Sequence, residues 1–150
     1  LALIHGFGLR EGAIASSVAH DSHNIVAVGT SPQALAQAIN EIVRRQGGLC
    51  AVSRAGVLSL PLPVAGLMSD QPASIVGPQY RQLNGRAKQM GSSLRAPFMT
   101  LSFMALLVIP ELKLSDRGLF DGQRFAFCSL AADADEIAQT DLWLQTGART

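Results

Sequence analysis

The sequence predicts an α+β domain, a mainly antiparallel β-sheet with two or more helices packed on it, and three observations carry that prediction. One amphipathic helix pattern, "SPQALAQAINEIVRRQGG", interrupts a series of short β-prone runs. Those runs, "GAIASSVA", "NIVAVGT" and "LCAVSRAGVLSLPLP", are punctuated by turn residues, as in hairpins. The chain has 150 residues, 48% hydrophobic and 15% charged. A compact chain of this size buries roughly 68–70% of its unfolded surface. Its charged share is below the usual figure of about a quarter, which suits a dense body or surfaces that meet another domain.

Taken in order, "LALIHGFG" opens apolar and β-prone, and a Gly-bounded turn leads to a buried strand in "GAIASSVA". "NIVAVGT" reads as the next strand, so the polar stretch "HDSHN" at residues 20–24 falls on a strand-to-strand connection. Ser31 caps a helix and Pro32 fits its first position. Leu35, Ala38, Ile39, Ile42 and Val43 recur at helical spacing, and Gly47 and Gly48 end the helix. A hairpin turning near Arg54, Ala55 and Gly56 follows. Pro61 and Pro63 deny amide hydrogens to one side of its second strand, which places that strand at a sheet edge or under a loop.

"AGLMSDQP" is a loop with Asp70 or Ser69 as helix cap, and Val76, Tyr80, Leu83, Ala87 and Met90 repeat at alternating spacings of four and three. Gly77 and Pro78 would disturb an established helix, so the second helix is expected to start near Pro78. "APFMTLSFMALLVIPELKL" fits a strand or a buried helix by period, and its β-branched residues and flanking prolines favour strand. Phe125 and Phe127 alternate as on a half-buried final strand, while Met99, Met104 and the Phe residues are expected in the core. Residues 1–130 make one domain; residues 131–150 form a tail, as a short helix or loosely held terminus.

Composition narrows the function classes. Net charge is +1 and the basic residues are scattered, with Arg44 and Arg45 adjacent, so no basic stripe answers a phosphate backbone and nucleic acid is not an expected partner. The apolar run at 103–110 is far short of the roughly 20 residues of a membrane span. Cys50 and Cys128 show neither metal nor disulfide-framework spacing and suggest a reducing compartment, hence a cytoplasmic location. The start, without Met and with no signal-peptide pattern, looks like a segment of something longer.

"HDSHN" concentrates the candidate chemistry. Residues three apart oppose one another on a strand, so His20 and His23 converge on one metal only if Asp21 and Ser22 make a turn. Asp21 is then a third ligand or orients an imidazole. Asp, Ser and Asn also favour turns for backbone reasons alone. A polar turn, an active-site-facing loop and a metal site all stay open. His5, among apolar neighbours, reads as a hydrogen-bonded core histidine. "GFGLREG" lacks the third glycine and the helix of a dinucleotide loop, and Ser16 and Ser17 lack a nucleophile-elbow setting.

Four blocks, "GFGLREGAIASSVAHDSHNIVAVGT", "QGGLCAV", "LPLPVAGLMSD" and "PFMTLSFMALLVIPELKLSDRGLFD", closely resemble the C-terminal domain of bacterial adenine deaminases, in order and spacing, over about residues 1–127. The resemblance implies the amidohydrolase superfamily, a hydrolase that converts adenine and water to hypoxanthine and ammonia, and a role in purine salvage. It also implies a barrel with a binuclear divalent metal centre, manganese or iron, whose ligands include an HxH pair. This chain has three histidines and no HxH, so the barrel is expected elsewhere in the polypeptide and the segment alone to be inactive. Within that frame His20, Asp21, His23 and Asn24 are candidate catalytic-loop residues and Ser22, Met68, Ser69 and Asp70 candidate substrate-binding residues. The expected partners are the remainder of the polypeptide and adenine, and homo-oligomers fit the sparse charge. Two other readings stand beside this one: a non-catalytic interface or oligomerisation module, and an independent metal-binding domain using His20, Asp21 and His23.

Overall fold

The computed structural model describes residues 1–130, and the expected tail at 131–150 lies outside the described residues. The fold is α+β, with four strands in one antiparallel sheet: β1 (Ala13–Ser16), β2 (Val26–Gly29), β3 (Gly48–Ser53) and β4 (Gly56–Pro61), in the order β2-β1-β3-β4. Helix α1 (Pro32–Arg44) joins β2 to β3. After β4 come α2 (Ala73–Gln89), α3 (Pro97–Ser102) and a single 3₁₀ turn at Phe103–Ala105. A separate antiparallel sheet, β5 (Leu112–Ser115), β6 (Gly118–Asp121) and β7 (Ala126–Cys128), closes the described chain.

The main sheet is covered on both faces, which is why β1 and β3 read as unbroken apolar or small runs rather than as alternation. On one face Ala13, Ala15, Cys50 and Val52 meet Ala38 and Ile42 of α1. On the other, Ile14, Leu49, Ala51 and Leu60 meet Leu83, Ala87 and Met90 of α2 or its C-terminal end, with Phe98 and Leu101 of α3. The α1 side is lined with alanines and a cysteine, so that helix can pack close to the sheet.

Helix α1 starts as its sequence predicts. The Ser31 hydroxyl accepts from the Ala34 amide at 3.2 Å, and Pro32 occupies the first turn. Its stripe is narrower than expected, for Ala38 and Ile42 are buried whereas Ile39 and Val43 face out. The expected hairpin is present, with Ser53 opposite Gly56, and β4 is an edge strand as its prolines require.

The structure corrects six expectations. Residues 1–8 form no strand, and His5 is exposed rather than a core residue, because only Phe7 of that segment finds a place in the core. Helix α2 starts at Ala73, not near Pro78. Its core stripe includes Val76, which packs only if the helix begins before the proline, and the Pro72 carbonyl accepts from the Ile75 and Val76 amides to start it. Pro78 removes one intrahelical bond. Neither Ser69 nor Asp70 caps that helix.

Residues 97–105 are helical, not a strand. Phe98, Leu101 and Ala105 are buried at helical spacing, Pro97 is in the first turn, and the β-branched residues that suggested a strand fall largely beyond the helix. Met99, Phe125 and Phe127 are exposed rather than core, while Phe7, Phe98 and Phe120 are buried. No helix among the described residues is long and apolar enough to cross a membrane.

Candidate functional site

The β1–β2 connection and the β4–α2 connection leave the main sheet at the same end. Ser16, the last residue of β1, pairs with Val26 on one side and Leu49 on the other, and Leu49 pairs with Leu60 near the end of β4. The connection carrying "HDSHN" and the one carrying Met68, Ser69 and Asp70 therefore share a rim.

Within the first connection, the Ser16 hydroxyl accepts from the Val18 amide at 2.9 Å, and Ala19 is buried. The His20 amide donates to the Ser102 carbonyl at 2.9 Å, anchoring the loop to the end of α3. The His23 amide donates to the Ala19 carbonyl at 2.7 Å and closes a tight turn, with His23 in the left-handed region at φ 44. Asp21, Ser22, His23 and Asn24 are exposed, while His20 is half-buried with its ring stacked 4.9 Å from that of Phe103. The turn is thus closed by backbone bonds, and the side chains of Asp21, Ser22, His23 and Asn24 face outward.

The metal reading finds no third ligand beside the two histidines among the described residues. The His20 and His23 ring centroids are 5.8 Å apart in an edge contact. Among the described residues no three His, Cys, Asp or Glu side chains gather as a ligand set. The residues present do not fit a binuclear centre, which needs several ligands converging from different directions.

The second connection is built on a two-residue turn. Ala65 and Gly66 are both left-handed, at φ 56 and 72, and the Leu67 amide donates to the Val64 carbonyl at 3.0 Å. Val64 and Met68 exchange two backbone bonds of 3.0 and 3.1 Å. Met68 emerges 59% exposed. The Ser69 hydroxyl accepts from the Gln71 amide at 3.0 Å, and the Asp70 carboxylate accepts from the Gln71 side chain at 3.1 Å. An open cleft of about 350 Å³ is lined by Ser69 and Asp70 with Pro61, Pro63 and Ile75. The "HDSHN" residues do not line this cleft.

Sequence reasoning missed Phe103, the platform under His20, and Ser17, which touches both connections. Nothing near "HDSHN" marks a ring so distant in the chain. For Ser17 the signal was available but general: a small polar residue inside a run that is otherwise buried needs partners.

The chain was compared with known proteins. The family model described as adenine deaminase C-terminal domain matches residues 1–126. The adenine deaminase of Salinibacter ruber is 56% identical over 134 residues, 89% of this chain and 24% of that protein. That of Sulfurovum sp. is 59% identical over 128 residues, 85% of this chain and 24% of its own length. That of Methanosarcina acetivorans is 52% identical over 133 residues, 89% and 24% respectively. The chain spans 24% of the length of each of these relatives. Both connections at the sheet rim lie inside the matched residues, and the chain belongs to the adenine deaminase C-terminal domain family.

Proposed function

We propose that this chain acts as part of an adenine deaminase, and that its two rim connections form a polar wall of a composite active site completed by the rest of the polypeptide. The observation that carries this reading is the common origin of both polar segments at one end of the sheet, in a chain related to adenine deaminases over most of its length.

In this reading His20, Asp21, His23 and Asn24 face adenine or ordered solvent, with Ser22, Met68, Ser69 and Asp70 lining the substrate side. The reaction is hydrolysis of adenine to hypoxanthine and ammonia, serving purine salvage in the cytoplasm. The binuclear manganese or iron centre belongs to the barrel, since the residues here do not fit it. Exposed His23 and Asn24 offer hydrogen bonds to a heteroaromatic ring or its leaving amine, and Met68 an apolar surface for the ring's face. His20 holds the loop in place through Phe103.

The test uses the full-length enzyme. His23→Ala lowers kcat/KM on the order of ten-fold or more, because it removes a group at the reacting face. The side chain is exposed, so the stability cost is confined to placing Ala in the left-handed backbone at φ 44, under about 1 kcal/mol. His20→Ala lowers turnover and also costs about 1 kcal/mol of stability through the lost ring contact. Unchanged kinetics in both variants would sink the proposal. A second reading, a non-catalytic interface or oligomerisation module, draws on exposed Phe125, Phe127 and Leu112. It predicts altered assembly in Phe125→Ser with the rim variants fully active.

A further inference from the structure

We infer that Ser17 is a positioning residue whose hydroxyl pins the 64–68 turn to the start of β3, and so sets where Met68, Ser69 and Asp70 stand on the rim. The inference rests on the reading of that segment as a substrate wall.

Ser17 follows β1 directly and is only 9% exposed. Its amide donates to the Gly48 carbonyl at 3.0 Å, extending the β1–β3 ladder by one residue. Its hydroxyl accepts from the Gly48 amide at 2.8 Å and lies 2.5 Å from the Gly66 carbonyl. A hydroxyl has one proton to give. The Gly48 carbonyl, 3.3 Å away, already accepts from the Ser17 amide, so the proton goes to Gly66. One side chain thus joins the strand that leads into "HDSHN" to the apex of the other connection.

The glycines around it make that junction possible. A Cβ at Gly47 would stand 2.3 Å from the Gly66 Cα, and one at Gly48 2.3 Å from the Leu60 carbonyl oxygen. Backbone therefore lies on backbone at the apex, with no side chain between Gly47 and Gly66. Val64 and Met68, which pair across the turn, are 42% and 59% exposed; Leu67 is half-buried, and buried Leu62 anchors the chain ahead of the turn rather than at its apex. The turn is internally stiff, through the Val64–Met68 pairing, and is held to the sheet at its apex by Ser17. Loss of the hydroxyl would release a rigid unit carrying Met68, rather than unfold the sheet.

The experiment is steady-state kinetics of the full-length enzyme with adenine for Ser17→Ala, Ser17→Thr, Asp70→Ala and the Ser17→Ala/Asp70→Ala double variant. Ser17→Ala raises KM about ten-fold with kcat within about two-fold, the pattern of lost uniform binding. Ser17→Thr, which keeps the hydroxyl, recovers most of that rise. The double variant is no worse than about the poorer single one, because both act through the same loop. An unchanged KM in Ser17→Ala overturns the inference even if the melting temperature falls, since that is a merely structural role. So does a double variant whose effects multiply. If Ser17→Ala yields no folded enzyme, Ser17→Cys keeps the volume while weakening both bonds; a raised KM supports the inference and an unchanged one overturns it. Asp70→Ala and Ser69→Ala separate the two claims. If neither moves KM, the substrate-wall reading has failed and this inference with it; if Asp70→Ala raises KM and Ser17→Ala does not, the inference alone has failed.

Discussion

In the main sheet every residue of central strand β1 and five of the six of β3 are buried, with none in β2 and one in β4 at the edges, whereas the small sheet has no such buried centre: β5 and β6 bury one residue each and β7 none. The main sheet has helices on both faces. The small sheet relies on contacts of its own: Phe120 meets Phe125 and Phe127 edge to face, and the Arg117 guanidinium stands 5.4 Å over the Phe127 ring. Its one buried charge, Lys113, donates to the Pro110 and Leu112 carbonyls at 3.1 and 3.3 Å. Layers on both faces, rather than strand count, decide where stability resides. The first rim connection grows from the fully buried β1, which gives it a rigid base, and the second from edge strand β4.

Two phenylalanines put that contrast to its strongest test. Phe98→Ala, in the α2–α3 side of the main core, should cost about 3–5 kcal/mol, because Ile14, Leu83 and Leu101 are already close-packed and cannot collapse into the space. Phe120→Ala in the small sheet should fall at or below the low end of that range, about 3 kcal/mol, since exposed Phe125 and Phe127 can relax into the vacancy. Urea unfolding of both variants reads the difference; equal losses would erase the distinction between the sheets.

The cysteines, one in each sheet, sharpen it. Burial, with the charge of Glu41 adding, pushes the Cys50 thiol up to about 12, and that thiol donates to the Ala38 carbonyl. Cys128 is half-exposed on β7. Thiol labelling of the native chain at pH 8 should modify Cys128 and leave Cys50 untouched, with Cys50 reacting only on unfolding. Because its folded value is raised, Cys50 favours the fold at neutral pH, and that contribution is lost as pH rises from the ordinary value of 9.0 towards about 12.

The smallest expected effect lies on the surface of α1. Hydrogen bonds from Arg45 and then Arg44 lower the Glu41 carboxyl from 4.5 to about 2. A lowered value means stability that is complete above about 4.5 and lost as pH falls towards about 2. Arg44 is 65% exposed, so solvent screening keeps the contribution under about 1 kcal/mol. Glu41→Gln should therefore flatten the acid limb of a stability profile slightly and leave the rest unchanged.

Legibility differed between fold and site for physical reasons. Helix α1 could be read because its cap, its proline and its apolar stripe are local and agree. The edge position of β4 could be read because a missing amide hydrogen is a property of proline itself. At 97–105 the local signals disagreed, and burial of Phe98 and Leu101 against the sheet decided for helix. In α2 the apolar stripe prevailed over Pro78, since packing Val76 and Tyr80 offsets one lost hydrogen bond. The "HDSHN" turn was legible from its composition, but its His20–Phe103 stack was not.

From sequence alone came the α+β class, the hairpins, the placement of "HDSHN" between two strands and the resemblance later borne out by the family match. These rest on period, on turn chemistry and on residue identity, which a chain carries wherever it folds. Tertiary structure alone decided that the sheet is covered on both faces, that two connections remote in sequence share one rim, and that the Ser17 hydroxyl joins them through Gly48 and Gly66. Such contacts follow from strand order and register, and a one-residue shift of register would turn each side chain to the opposite face.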